Sequence, residues 1–220
     1  MKRPANALSL AVLTLLFEKP MHPYEMSTTL RHRSKEDSIR LNYGSLYAVV
    51  DSLRKKELIS AREAVRDGNR PERTVYELTD AGASAMQGWL SEMLRDPSPQ
   101  FTDFEAALSL MGAIPPDEAL ALLRLRLKAL RIASNQYDGI RAHVPDGFPD
   151  LFLVEGDYSE ALRGAEIAFV QKLVDDLAAE RLGGMNVWRR IHELRDAGLT
   201  GEEANAKLLE EYGDLLTWET

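Results

Sequence analysis

Cysteine is absent from the 220-residue chain. That excludes disulfides, thiolate metal sites and a cysteine nucleophile, and it suits a cytoplasmic protein. Histidine is scarce, with four scattered residues and no His-Glu-x-x-His spacing. No glycine-rich phosphate loop is present either, so no catalytic residue, metal ligand or cofactor is expected. Asp138, His143, Asp146 and Asp150 fall in a stretch broken by Gly139, Pro145, Gly147 and Pro149, and they read as a solvated loop. Long apolar runs are missing too. The longest, Ala7 to Phe17, follows Lys2 and Arg3 as in a signal peptide, but Glu18-Lys19-Pro20 follows directly and no small-x-small cleavage site is present. It is too short to span a bilayer. We read it as a buried first helix in a cytoplasmic chain with no membrane partner.

Basic charge is in deficit overall, at a net −8, but the deficit is uneven. Residues 1–82 hold 14 Lys+Arg against 11 Asp+Glu, a net of +3, and residues 83–220 hold 13 against 24, a net of −11. A mildly basic first part joined to a strongly acidic second part suggests a polyanion-binding segment beside one that does something else.

The stretch Asn42 to Leu58 carries the strongest pattern. Leu46, Val49, Val50 and Leu53 recur at i, i+3, i+4 and i+7, the spacing of a helix with one buried stripe. The opposite side carries Gly44, Tyr47, Ala48, Asp51, Ser52 and Lys55, whose small members let another surface approach. Arg54, Lys55 and Lys56 lie in the last turn, where the helix dipole favours cations. Upstream, Lys19-Pro20 ends the first helix, and Pro23 opens a second that runs to about His32. Downstream, Ser60 to Val65 and Arg73 to Leu78 read as two strands around Arg66-Asp67-Gly68-Asn69-Arg70-Pro71-Glu72, a hairpin with a basic tip. Thr79 then caps a helix through Trp89 and Leu94. Three helices, a hairpin and a fourth helix make a winged helix-turn-helix domain, predicted over residues 1–95. A helix of this width fits the DNA major groove, and the hairpin arginines are placed for phosphates beside it.

The same residues resemble the PadR-like transcriptional regulators. The likeness rests on Leu15-Leu16-Phe17-Glu18-Lys19-Pro20-Met21-His22-Pro23-Tyr24-Glu25-Met26, on Gly44-Ser45-Leu46-Tyr47 leading to Leu53-Arg54-Lys55-Lys56-Glu57-Leu58-Ile59, and on Arg70 to Gly82. Pro23, Ser45, Ala48, Asn69 and Glu72 depart from the family's usual residues. The resemblance implies a regulator that binds double-stranded DNA. Its expected contact residues are Tyr24, Tyr43, Gly44, Ser45, Tyr47, Ser52, Arg54 and Lys55, with Arg66, Asn69, Arg70 and Arg73 from the wing. For Asp51 we expect a pairing with Lys55 at i+4 rather than a base contact.

Arg95 to Gln100 reads as a linker, and an all-α dimerisation domain is predicted over residues 101–182. Leu120, Leu123, Leu127 and Leu130 form one apolar stripe, and Leu122, Leu125, Ala129 and Ile132 form another. Ile167, Val170, Val174 and Leu177 form a stripe on a later helix, Tyr158 to Leu182, which also carries Leu162, Ala165, Phe169 and Leu173. One small domain seldom covers two stripes per helix, so a second copy is expected, and we assign it Leu120, Leu123, Leu127, Leu130, Ile167, Val170, Val174 and Leu177. Tyr137 to Val154 reads as the loop between. Residues 183–220 read as a helical hairpin whose role the sequence does not choose. The resemblance also implies a small aromatic or phenolic effector that releases DNA, and Trp89, Met93, Phe101 and Phe104, flanking the domain junction, are its expected contacts. The whole is mainly α, and the rival reading is a winged domain used for protein–protein contact without specific DNA binding.

Overall fold

A computed structural model of the protein describes residues 7–39, 42–62 and 74–216. It divides into two compact units, Met1–Gln100 and Phe101–Thr220.

In the first unit, α1 (Ala7–Glu18) is apolar around most of its circumference and buries Leu8, Val12, Leu13, Leu15 and Leu16. α2 (Pro23–His32) starts on a proline whose missing N–H costs nothing there, and His22 caps it by accepting from the Tyr24 amide. α3 (Tyr43–Lys55) is capped by Asn42. Its stripe of Leu46, Val49, Val50 and Leu53 is buried against a core shared with α1, α2 and α4 (Asp80–Arg95). The wing base pairs β1 (Ile59–Arg62) antiparallel with β2 (Val75–Leu78), in the register Ile59–Leu78 and Arg62–Val75. β1 starts one residue earlier than the sequence predicts, Thr74 lies outside β2, and residues 63–65 and 73 of the expected strands lie outside the described residues. The tip, residues 63–73, lies outside the described residues. On its other edge β2 pairs with Met21, which exchanges both backbone hydrogen bonds with Tyr76 at 3.0 Å, so the turn between α1 and α2 is tied to the wing.

The end of α3 is fixed by a tight joint. Leu58 N–H donates to the Leu53 carbonyl and Glu57 N–H to that of Arg54, which is the Schellman pattern, and Glu57 takes the left-handed conformation (φ +58°) that this end demands. Thr79 donates its hydroxyl to the Glu57 carbonyl and accepts from the Gly82 amide. Gly82 lies against the Leu58 carbonyl, and a Cβ there would fall 2.0 Å from that oxygen. One glycine thus lets α4, β1 and the end of α3 meet.

In the second unit, α5 (Asp103–Ser109) is capped by Thr102 and leads through a 3-10 turn, Met111–Ala113, into α6 (Pro116–Arg141). Then follow α7 (Val154–Ala178), α8 (Met185–Asp196) and α9 (Gly201–Leu216). α6 continues through residues the sequence reading leaves in a loop, and α7 begins four residues before the expected Tyr158. The reason is a close contact across the hairpin. Tyr137 donates its hydroxyl to Asp157 at 2.6 Å, and its ring covers Gly156, where a Cβ would sit 2.9 Å from it. α7 stops at Ala178 instead of Leu182, because Glu180 adopts φ +54° and Arg181 N–H closes on the Asp176 carbonyl.

The stripe assigned above to a second copy is the chain's own core. Leu123, Leu127, Val170, Val174 and Leu177 are buried together with Ala119, Met185 and Trp188, and Leu120, Leu130 and Ile167 pack half-buried against them. α8 folds back onto the α6–α7 hairpin and covers that side. The other stripe is left open: Leu122, Leu125, Ile132, Leu162 and Phe169 are all about half exposed or more. α8 and α9 bury Val187, Leu194, Ala204 and Leu208 between them, and Arg190 clasps Glu211 through two hydrogen bonds of 2.8 Å.

Gly82→Ala should lower stability by roughly 2–3 kcal/mol, because the methyl meets a carbonyl that the joint holds in place. Gly139→Ala is the control. Nothing lies within 4 Å of its Cβ position, in an exposed helical turn, so it should be neutral or stabilising by up to about 1 kcal/mol. Chemical denaturation measures both, and equal effects would remove the joint from the account.

Candidate nucleic-acid interface

α3 presents one face to the core and one outward. The outward face starts at its cap, where the Asn42 side chain accepts from the Ser45 amide at 2.7 Å and the Ser45 hydroxyl donates back to the Asn42 carbonyl at 2.9 Å. Ser45 therefore already has a structural use. Gly44 and Ala48 are exposed, and a Cβ at Gly44 would meet only the Asn42 side-chain oxygen, at an ordinary 3.7 Å. Among the described residues, the chain's own packing does not require glycine there. Tyr47 flanks these two small residues with 47% of its surface exposed, and Ser52 is half-buried one turn on. Tyr24 on α2 is also exposed, and Tyr43 is the first residue of α3. Arg66, Asn69, Arg70 and Arg73 lie outside the described residues.

Charge on this face is arranged around one carboxylate. Asp51 accepts from Lys55 Nζ at 2.6 Å through one oxygen and from Arg54 at 3.0 Å through the other. Lys55, then Arg54, hold its carboxyl below the ordinary carboxylate range, as hydrogen-bonded cations favour the ionised form. A lowered value means that the pairing is complete at neutral pH and is lost only as the pH falls through that value. The two cations expected to meet phosphate therefore share one counter-charge in the free protein.

The expected effector contacts fall in both units. Trp89 is buried in the core of the first, its indole N–H without a partner among the described residues, and Met93 is exposed on α4. In the second unit Phe101 is almost fully exposed, and Phe104 lines a cavity of about 320 Å³ between α5, the Met111–Ala113 turn and α6. The sequence reading misses the rest of that cavity, including Leu108, Met111 and Arg126. The Arg126 guanidinium lies 3.7 Å from the centre of the Phe104 ring and pairs with Glu166 of α7 at 2.5 Å. A signal was available, in that Arg126 is a cation set between the core leucines Leu123 and Leu127. Among the described residues no group of acidic and histidine side chains is placed to hold a metal ion, and no helix is long and apolar enough to cross a membrane.

These features define a winged helix-turn-helix unit followed in sequence by an all-α unit. The chain belongs to the PadR-like family of transcriptional regulators, whose family model matches residues 12–88. A Lysinibacillus sphaericus protein called "Uncharacterized protein X" is 34% identical over 86 residues, which is 39% of this chain and 72% of that protein. Among solved structures, Bacillus subtilis PadR in complex with p-coumaric acid superposes with a TM-score of 0.62 at 15% identity, over 78% of this chain and 98% of that one. The same regulator in complex with operator DNA gives 0.59 at 17% identity, over 77% and 98%. The Vibrio cholerae virulence activator AphA gives 0.58 at 18%, over 79% and 99%. At these identities the structures establish the fold.

Following the Asp51 carboxyl by NMR during a pH titration should give a midpoint below the ordinary aspartate range, and Lys55→Ala should raise it more than Arg54→Ala does. A midpoint at or above the ordinary value would show that the pairing does not persist in solution.

Proposed function

We propose that the protein is a sequence-specific regulator of transcription that binds double-stranded DNA as a homodimer, acts as a repressor in the cytoplasm, and is released by a small aromatic or phenolic molecule. The observation that carries the DNA reading is the outer face of α3. Gly44, Tyr47, Ala48 and Ser52 stand on a helix whose other side is locked into the core, and among the described residues the chain's own packing makes no use of Gly44's missing side chain. Family membership and the operator complex of Bacillus subtilis PadR support the same reading. In a major groove, Tyr47 and Ser52 reach base edges or phosphates, Gly44 and Ala48 allow the approach, and Arg54 and Lys55 turn from Asp51 to phosphate. Tyr24, Tyr43 and Ser45 border the groove, and Arg66, Asn69, Arg70 and Arg73 grip the backbone beside it.

The exposed stripe on α6 and α7 is the proposed surface for the second copy. Leu122, Leu125, Ala129 and Ile132 on α6 are matched by Leu162, Ala165 and Phe169 on α7, and a surface of this length on two helices suits a helix pair from another subunit. Two-fold symmetry then calls for an inverted repeat whose half-sites lie about 34 Å apart or a multiple of it. The effector reading is supported by the p-coumaric acid complex of the relative and acts by shifting dimers between DNA-competent and incompetent arrangements.

Gel shifts with the DNA upstream of the protein's own gene, across about 50 to 200 mM salt, test the interface. Asp51→Asn should tighten binding and steepen the salt dependence by about one to two phosphate contacts, because both cations are released from their carboxylate. Arg70→Ala combined with Arg73→Ala should weaken binding and flatten the dependence, and binding unchanged in both variants would sink the DNA assignment. Leu125→Glu with Leu162→Glu alters exposed positions and should give a folded monomer in sedimentation that holds a full operator at least tenfold more weakly. A dimer that survives this double variant would move the interface elsewhere.

A further inference from the structure

The cavity behind Phe104 has the construction of a ligand site. Phe104, Leu108, Met111, Ile114, Ala119 and Leu123 line it, and its volume of about 320 Å³ suits a molecule of two or three rings. Its roof is held in place. The Trp188 indole N–H donates to the Ile114 carbonyl at 2.8 Å, and His192 Nε2 bonds the Gly112 carbonyl at 3.0 Å, so α8 pins the Met111–Ala113 turn from behind. At the mouth the charge pattern is one-sided. A wider groove of about 580 Å³ adjoins the cavity across Phe104 and Arg126, and Asp103, Glu105 and Glu166 border it. Arg126 is the single cation in that lining, and Glu166 already neutralises it. An incoming carboxylate would meet Asp103 and Glu105, which form no ion pair among the described residues, and a guanidinium that is engaged.

We propose that this cavity binds a compact apolar molecule without negative charge, and that a second copy of the chain closes it. The selection against anions follows from the mouth, and the affinity comes from apolar burial inside. The closure follows from two shared residues. Leu122 lines the cavity and Phe169 lines the adjoining groove, and both belong to the exposed stripe on α6 and α7. A molecule seated there is covered by whatever packs on that stripe, so occupancy and association strengthen each other. This rests on the dimer and small-molecule readings above and narrows the second to uncharged or cationic ligands, a class that excludes the carboxylic acid held by the Bacillus subtilis relative.

The probes are N-phenyl-1-naphthylamine, which is uncharged, and 1-anilinonaphthalene-8-sulfonate, which shares its ring system and adds a sulfonate. Titrated into the intact protein without DNA, the uncharged probe should give saturable fluorescence with one site per chain and bind at least tenfold tighter than the sulfonate. Ala107→Phe, an exposed lining position, should fill the cavity and reduce that binding at least tenfold with the circular dichroism melt unchanged. Glu166→Gln frees Arg126 and should narrow the gap between the two probes. Sedimentation at low protein concentration should show a tighter dimer when the uncharged probe saturates. No saturable binding, equal binding to Ala107→Phe, or a preference for the sulfonate overturns the site. Saturation without tighter association overturns closure by the second copy. A chain that binds operator normally but fails with the uncharged probe loses this site and keeps the DNA reading.

Discussion

The contact between Gly82 and the Leu58 carbonyl governs the first unit. Three elements converge on it: the end of α3, the start of β1 and the first turn of α4. Because α3 ends in a Schellman turn and Thr79 bridges to the Glu57 carbonyl, the direction in which the chain leaves α3 is fixed. That direction sets where the wing stands beside the helix. The Met21–Tyr76 bridge fixes the opposite edge of the wing to the turn between α1 and α2. The outward face of α3 and the wing base are thus parts of one rigid body, which is what a protein needs if it reads a groove and grips the adjacent backbone at once.

Most of the first unit was legible because its signals are local. The stripe of α3, the caps at Asn42 and Thr79, and Pro23 at a first turn each follow from a few adjacent residues. The pairing of Asp51 with Lys55 was also legible, since i+4 neighbours on a helix lie together, whereas the added bond from Arg54 depends on rotamers. The helical hairpin was less legible. Gly139 and the prolines after it suggest a break, but the contact of Tyr137 with Gly156 spans 19 residues and cannot be read from either neighbourhood. The cavity was legible only at Phe104, because Arg126 and Glu166 are 40 positions apart and are joined by the packing of α6 on α7.

Two apolar stripes per long helix were evident from spacing, but spacing could not say which one stays within the chain. The answer came from α8. Met185 and Trp188 close over the side of Leu123, Leu127, Val170 and Val174, a contact that rests on a segment the sequence reading left without a role. The tail is therefore part of the second unit's core, and through Trp188 and His192 it also shapes the cavity roof. The polar seam farther along the hairpin works differently. Ser134 binds Glu160, which Arg163 also holds from within α7, while Arg131 reaches Gln171, and the two bonds from α6 fix its register on α7 by geometry where apolar contacts would tolerate sliding.

The carboxylate of Asp51 bears on how such a protein would find its site. A helix whose two cations are held by an adjacent acid offers little attraction to arbitrary phosphates, and nonspecific adhesion is what allows a protein to slide along a duplex. For a DNA-binding α3, the search would proceed more by repeated short encounters than by long one-dimensional excursions. Only a groove whose shape admits Tyr47 beside Gly44 and Ala48 would hold the helix long enough for Arg54 and Lys55 to exchange Asp51 for the backbone.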